Sequence, residues 1–382
     1  MLKKITFLLL IFSFSLFAQI VTGAQNTVEY LSKLKSKNVA LVVNQSSLVE
    51  GTHLVDRLLS EKINIVKIFA PEHGFRGKAD AGQHLKNGVD SATGLPIISL
   101  YGKHKKPTRN DLKNIDVLLF DIQDVGVRFY TYLSTLHYIM ESATESNIPV
   151  IVLDRPNPNG GRIDGEVLNL KYKSFVGMHP VPILYGMTIG EYALMINGEG
   201  WLKGHKRAKL QVVHLGNYTH NTPYSLPVKP SPNLPNDLSI YLYPSLAFFE
   251  GTPLSVGRGT NMQFQIYGSP YYRKTAFTFN PVSREGAKYP KYQNKKCYGV
   301  DLRGEFITTS EGINLSYILD AYKNYRFKKK FFLKNRFIDK LAGSSHLRQQ
   351  IQAGKSAKKI KQSWQKGLKR FKTMRQKYLI YP

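Results

Sequence analysis

Between residues 38 and 158, short continuous apolar runs alternate with segments whose apolar residues recur at helical spacing. The runs NVALVVNQS (38–46), INIVKIFAP (63–71), LPIISLYG (95–102), IDVLLFDIQDVG (115–126) and IPVIVLDRPNP (148–158) are rich in Val, Ile and Leu and predict buried strands. HLVDRLLSEK (53–62) and FYTYLSTLHYIMESATES (129–146) predict helices. Strands apolar on both faces and separated by helices form a parallel sheet covered on both sides. The predicted fold class is α/β, a Rossmann-like parallel sheet.

In such sheets ligands bind beyond the carboxyl ends of the strands. Polar residues cluster at those ends: Asn44 and Gln45 after the first strand, Glu72 and His73 after the second, Asp121 to Arg128 after the fourth, and Asp154 to Asn159 after the fifth. Each residue alone also reads as a cap or turn former. Their joint placement directs them toward one crevice. FAPEHGFRG (69–77) leaves a buried strand and at once sets out Glu72, His73 and Arg76 beside two glycines, which permit unusual backbone angles and close approach of a ligand.

Further on, TIGEYALMINGEGW (188–201) opens with Thr188 and has Glu191 three residues later, a capping-box pattern that gives Glu191 a structural role. The proline-rich LPVKPSPNLPNDLSIYLYPSL (226–246) predicts an extended surface segment. It leads into FFEGTPLSVGRGTNMQFQIYGSP (248–270), a second glycine-rich stretch, which holds Glu250 and Arg258. From about Arg273 the composition turns aromatic and basic, with strand-like TAFTFNP and YGVDLRG followed by helices. The expected divisions are a leader at 1–24, a Rossmann-like catalytic domain at 25–272 and a smaller α+β C-terminal domain at 273–382.

The leader, MLKKITFLLLIFSFSLFAQIVTGA, has two lysines, an apolar run from Ile5 to about Ile20 and small residues up to Ala24. That is the pattern of a secretory signal and predicts a periplasmic or extracellular protein. No later stretch reaches the roughly 18 apolar residues of a membrane span, so no stable membrane insertion is expected. Cys297 is the only cysteine, which excludes a disulfide within the chain. The formal net charge is +28, much of it in RFKKKFFLKNR and GKSAKKIKQSWQKGLKRFKTMRQKY near the C-terminus. Such a surface favours anionic partners, although solvated lysine faces account for it equally well. Nucleic acid is not expected, because no aromatic-interleaved basic motif of recognised type is present.

Several chemistries lack their motifs. GEGWLKG (198–204) has the wrong spacing for a dinucleotide loop and follows a helix. There is no Walker loop, no GxSxG elbow and no HxH or HExxH spacing, so neither a cofactor nor a metal is expected. What remains is carboxylates on glycine-flanked loops. Glu72 and Glu250 each follow apolar residues whose burial raises a carboxyl pKa, as a general acid requires. Two carboxylates, one protonated and one ionised, are the minimum for cleaving a glycosidic bond. Simple pairing of Glu72 with Arg76 and of Glu250 with Arg258 is the competing reading. DIQDVGVRFYTYL adds Asp121, Gln123, Asp124, Arg128 and Tyr130 as candidates for binding hydroxyl and carboxylate groups. Tyr130 and Tyr132 read equally as core residues of the following helix, Tyr132 the more so.

Taken together, FAPEHGFRG, GLPIISLYG, DVLLFDIQDVGVRFYTYLSTL, VLDRPNPNGG, FVGMHPVPILYGMTIGEYA, PSPNLP and YPSLAFFEGTPLSVGRGT resemble the NamZ-type exo-β-N-acetylmuramidases. These stretches run in order from about Ala40 to Gly268, and GVDLRG, KLAGS and the terminal helices extend the likeness. The resemblance implies an exported glycoside hydrolase that removes terminal β-1,4-linked N-acetylmuramic acid from the non-reducing ends of peptidoglycan fragments. It places the site in a cleft between a Rossmann-like catalytic domain and a smaller C-terminal domain, with two glutamates as acid and base. The positions that match are Glu72, as proton donor, and Glu250. Arg76, Arg128 or Arg258 would hold the lactyl carboxylate of muramic acid, and His73, Asn44, Asn157, Asn159 and Asp164 complete the candidate binding set.

Two positions depart from the family pattern. IDGE puts Asp164 where a glutamate is expected and displaces Glu166, and GRGTN has Asn261 where an aspartate is common. The alternative to an enzyme is a non-catalytic cell-wall glycan-binding protein whose basic C-terminal domain holds the polymer.

Overall fold

The computed structural model describes residues 19–72, 74–75, 87–307 and 311–382. Seven strands among them form the central sheet: β1 (Val39–Val43), β2 (Ile65–Ala70), β3 (Gly88–Val89), β4 (Pro96–Ser99), β5 (Val117–Asp121), β6 (Val150–Leu153) and β7 (Leu210–Val213). Their spatial order is β7-β6-β5-β1-β2-β4-β3, with every pair parallel except β3 on β4. β1, β5 and β6 are buried along their whole length, which is why their sequences show no polar alternation. The chain adds β2 and β4 on one side of β1 and β5 to β7 on the other, so the winding reverses between β1 and β5.

Helices α1 (Leu54–Ser60), α2 (Tyr132–Glu145) and α3 (Ile189–Gly198) follow β1, β5 and β6. The capping box of Thr188 and Glu191 starts α3, and Glu191 also accepts from His220 Nε2 at 2.8 Å and from the backbone N–H of Ile380 at 2.9 Å. The C-terminal tail is thereby anchored to the first domain. The proline-rich segment is not an extended surface strand: up to Asn236 it runs through bends and a turn at Pro232–Asn233, and it buries Ser231, Asn233 and Leu234. The Asn236 side chain accepts from the backbone N–H of Ser239 and starts α4 (Asp237–Leu246), so capping overrides the local proline bias.

A three-stranded antiparallel sheet follows, β8 (Ile266–Ser269), β9 (Thr278–Phe279) and β10 (Cys297–Asp301), with β10 in the middle. β8 belongs to this sheet although the expected boundary near Arg273 leaves it with the first domain. Helices α5 (Ser316–Asn324), α6 (Phe337–Ala342), α7 (His346–Gln352) and α8 (Ala357–Arg375) complete the chain. One apolar cluster is continuous from Phe120 and Leu136 to Ile318, Trp364 and Phe371, so the two regions share a core.

Of the expected leader, residues 1–18 lie outside the described residues. Residues 21–24 are packed into the fold: Val21 pairs with Gly216 through backbone bonds of 3.0 and 2.8 Å, the N–H of Gly23 donates to Asp154 O at 2.9 Å, and Ala24 is fully buried. A methyl group on Gly23 would stand 2.5 Å from the Asp154 nitrogen. Removing a leader up to Ala24 would strip these contacts. No described helix is long and apolar enough to cross a membrane.

Candidate active site

Where β2 ends, the chain turns through Gly74 at φ 77°, a left-handed conformation that favours glycine. This leaves Glu72 half-buried, with Thr131 Oγ1, just ahead of α2, donating to its Oε2 at 2.6 Å. The Tyr132 hydroxyl lies 3.5 Å from the Glu72 carbonyl and accepts from Asn44 Nδ2 at 3.0 Å. The ends of β1 and β2 and the start of α2 therefore fix the loop jointly. His73 and Arg76 lie outside the described residues.

Glu250 approaches from the other region, on the 3₁₀ turn Ala247–Gly251 after α4. Arg258 Nε donates to its Oε1 at 3.0 Å. Gly257 and Gly259 flank that arginine with φ of 80° and 81°, and a methyl at Gly257 would meet the Met262 carbonyl at 2.5 Å. The Arg258 guanidinium lies 5.1 Å from the Phe264 ring centre. Phe264 itself sits at φ 53°, an unfavourable conformation for a bulky residue, held by its contact with Tyr243 at 5.0 Å. Tyr243 in turn packs on Phe129 and Tyr130. Among the described residues, Glu250 Oε2 and the terminal amino groups of Arg258 have no hydrogen-bond partner.

Burial pushes the Glu250 carboxyl pKa up, but the charges of Arg258 and Lys291 outweigh it and hold the group below its ordinary value. Burial lowers the pKa of Lys291, and its ammonium donates to the carbonyls of Phe249, Thr252 and Leu254 at 3.1, 2.9 and 3.2 Å. Arg258 is lowered by burial and raised more strongly by Glu250, Tyr243 and Glu72 together. Burial raises the Tyr243 phenol, Arg258 opposes this, and Glu72, Glu250 and Asp124 add to the rise. Both glutamates thus act on the same guanidinium and the same phenol. Beside Glu250 and Arg258 a cavity of about 330 Å³ is lined further by Ser255, Lys288, Tyr289 and Lys291. Its size is at the low end for small-molecule sites. Glu72 stands outside that lining.

Most of the other candidates hold the fold together. Asp121 is fully buried and its two oxygens accept from Arg155 Nε at 2.5 Å and Nη2 at 2.8 Å. Gln123 Nε2 is bonded to the carbonyls of Asp124 and Pro156 at 2.8 and 2.7 Å. Asn44 serves Ser46 and Tyr132. Asn157 joins Met187 and Asn159, and Asn159 joins Val125 and Arg162. Tyr130 donates to the Pro230 carbonyl at 2.7 Å and is buried in the aromatic layer under Arg258.

Arg128, expected as an anion binder, is 1 % exposed. Its guanidinium donates to the carbonyls of Glu166 and Val181 at 2.7 Å each and of Leu341 at 2.9 Å, linking the two regions from inside the core. Asp164 is spent likewise, on the N–H groups of Gly165 and Ile313 at 2.8 and 2.9 Å and on Lys361 at 3.0 Å. Asp124 is buried and accepts from Gly126 N–H and from the Tyr185 hydroxyl, while its Oδ1 has no hydrogen-bond partner among the described residues; burial pushes its pKa up to about 7.

Three residues around the glutamates carry no sequence signal: Thr131, Tyr243 and Lys291. Lys291 is one lysine among many, and Tyr243 lies in a helix that the proline count conceals. No cluster of three or more potential metal ligands exists among the described residues.

A Rossmann-like sheet joined to an antiparallel C-terminal region, with Glu250 paired to Arg258 beside a cavity, is consistent with an α/β glycoside hydrolase. The chain belongs to the exo-β-N-acetylmuramidase NamZ family: residues 39–238 match the family's N-terminal description and residues 241–381 its C-terminal one. It is 40% identical over 376 residues to the peptidoglycan β-N-acetylmuramidase NamZ of Bacillus subtilis (strain 168), covering 92% of this chain and 89% of that protein. Among solved structures it is similar to a DUF1343 family protein of Bacteroides fragilis, with 44% identity, a TM-score of 0.87 and coverage of 95% of this chain and 99% of that one. A second DUF1343 family protein of the same organism has 30% identity and a TM-score of 0.81, with the same coverage.

Proposed function

We propose that this protein is an exported exo-β-N-acetylmuramidase that removes terminal β-1,4-linked N-acetylmuramic acid from the non-reducing ends of peptidoglycan fragments by carboxylate acid/base catalysis. The observation that carries this reading is the grouping of Glu72 and Glu250 around Arg258 and Tyr243 beside a cavity. Membership of the family and the named activity of the Bacillus subtilis relative support the muramyl substrate. Glu250, held ionised by Arg258 and Lys291, is the base or the charge that stabilises an oxocarbenium-like transition state. Glu72 is then the proton donor, oriented by Thr131. The amino groups of Arg258 are the receptor for the lactyl carboxylate, since a guanidinium binds a carboxylate through two hydrogen bonds, and Lys291, whose donors are taken by three carbonyls, adds only its charge. The basic and apolar N-terminus supports export, and the packing of Val21 to Ala24 into the fold favours processing upstream of Val21.

The test is turnover of a nitrophenyl β-N-acetylmuramide. Glu72→Gln and Glu250→Gln should each lower kcat by about 10²- to 10⁴-fold, with circular dichroism checking that both variants remain folded. Retained turnover in either variant removes that glutamate from the mechanism. Glycan binding by the wild type without any turnover favours the non-catalytic alternative.

A further inference from the structure

Between Ala321 and Pro382 the chain carries nineteen Lys and Arg residues against one acidic residue, Asp339, and Arg348 occupies that carboxylate at 2.9 Å. The excess is organised. Helix α8 buries Ile360, Trp364, Leu368 and Phe371 and exposes Lys358, Lys359, Lys366, Lys369, Arg370 and Lys372, with Lys355 just ahead of it. At 3.6 residues per turn the exposed set spans an arc of roughly 160° opposite the buried one. None of these seven side chains has an ion-pair partner among the described residues, whereas Lys361 and Lys377, at the margins, pair with Asp164 and Glu199. Like charges at this spacing repel one another, so the face is under a load that an anionic partner relieves.

We propose that this face of α8 holds the anionic glycan polymer whose ends the active site trims, a retention surface separate from the cavity at Glu250. The inference rests on the function proposed above, because the free carboxylates of the stem peptides, or the lactyl carboxylates where the peptide has been removed, supply repeated negative charge along a peptidoglycan strand. The shape of the face favours a strand over a bilayer. A helix that lies in a membrane buries its apolar side there, and α8 has spent that side on its own core. A flat surface would meet only the crest of the arc, while a thin flexible chain can follow it round to Lys372 and Arg370.

The experiment is co-sedimentation of the full chain with purified insoluble peptidoglycan across a salt series, alongside turnover of the soluble nitrophenyl muramide. The variant replaces Lys358, Lys359, Lys366, Lys369 and Lys372 with glutamine, all exposed positions, and circular dichroism checks that it keeps the wild-type fold. The wild type should bind with a steep loss of affinity as salt rises, and the variant at least about tenfold more weakly, with muramide turnover unchanged. Equal binding by wild type and variant overturns the proposal. So does tighter binding of the wild type to phosphatidylglycerol vesicles or to a mixed-sequence oligonucleotide than to peptidoglycan. Charge-dependent retention in a protein that fails to turn over the muramide upholds the retention surface and sinks the hydrolase reading instead.

Discussion

Asp121 and Arg155 meet at the end of β5 through two contacts, 2.5 and 2.8 Å, with both side chains at most 2 % exposed. Glu250 and Arg258 meet at the cavity through one contact of 3.0 Å, each about a quarter exposed. The chemistry of the two pairs is the same and their surroundings differ. In the first, every carboxylate oxygen is taken and Arg155 Nη2 also serves the Leu48 carbonyl, so the pair has no capacity left for a ligand. In the second, one carboxylate oxygen and the outer guanidinium nitrogens have no partner among the described residues and the neighbouring space is open. An ion pair is available for function when its hydrogen-bonding capacity exceeds what its neighbours consume. Position at a strand end does not decide the matter, since Asp121 stands beside the β1–β5 reversal and is closed.

The largest effect expected from this contrast is on stability. Arg155→Ala leaves a fully buried carboxylate without a counterion and should cost about 3–5 kcal/mol in urea-induced unfolding. A cost under about 1 kcal/mol, the size seen for exposed pairs, would erase the distinction.

Next in size is a change in activity and its pH dependence. Arg258→Gln removes a charge-assisted contact from Glu250, and kcat/KM on the nitrophenyl muramide should fall about ten- to hundredfold. The sign of the pH effect follows from the depressed Glu250 pKa. Its ordinary value is 4.5 and the folded protein holds it lower, so the ionised form persists below pH 4.5 and the acid limb of kcat/KM lies under that value. The stability that this depression contributes is present above the unfolded pKa and is lost as the pH falls through the folded one. Without Arg258 the acid limb moves to higher pH. An unmoved limb would take Glu250 out of the titrating machinery.

The same contrast explains what the sequence made legible. Continuous Val, Ile and Leu runs announce β1, β5 and β6 because those strands are covered on both faces. The capping box of α3 was likewise readable from Thr188 and Glu191 alone. The two glutamates stand out as candidates because apolar residues and glycines frame them locally. What stayed hidden depends on contacts far apart in the chain. Arg128 and Asp121 look like binding residues until Glu166, Leu341 and Arg155 close on them, and Lys291 becomes part of the site only because residues 286–291 fold back over Glu250. Asn236, a helix cap inside a proline-rich run, shows the reverse case, where a local signal was present and outweighed in the reading by the prolines around it.

Asp164 sharpens the comparison at smaller amplitude. The side chain fits between Gly165 and Gly312, and a methyl on Gly312 would lie 2.0 Å from its Oδ2. A glutamate, which the family resemblance leads one to expect at this position, would need one more methylene in that space. Asp164→Glu should therefore destabilise by about 1–3 kcal/mol through overpacking and leave kcat unchanged. A change in kcat at constant stability would move Asp164 from the closed class to the open one.

Asn261 gives the smallest effect and the most direct check on the sugar subsite. It departs from the family pattern only two residues beyond Gly259, yet its side chain is exposed and bonded to Arg284. Asn261→Asp converts a neutral contact into a surface ion pair, which contributes at most about 1 kcal/mol and is screened by salt. KM for the nitrophenyl muramide should accordingly stay within about twofold of the wild type. A larger change would mean that the aspartate's charge reaches the lactyl carboxylate. The receptor would then extend from Arg258 outward to Arg284.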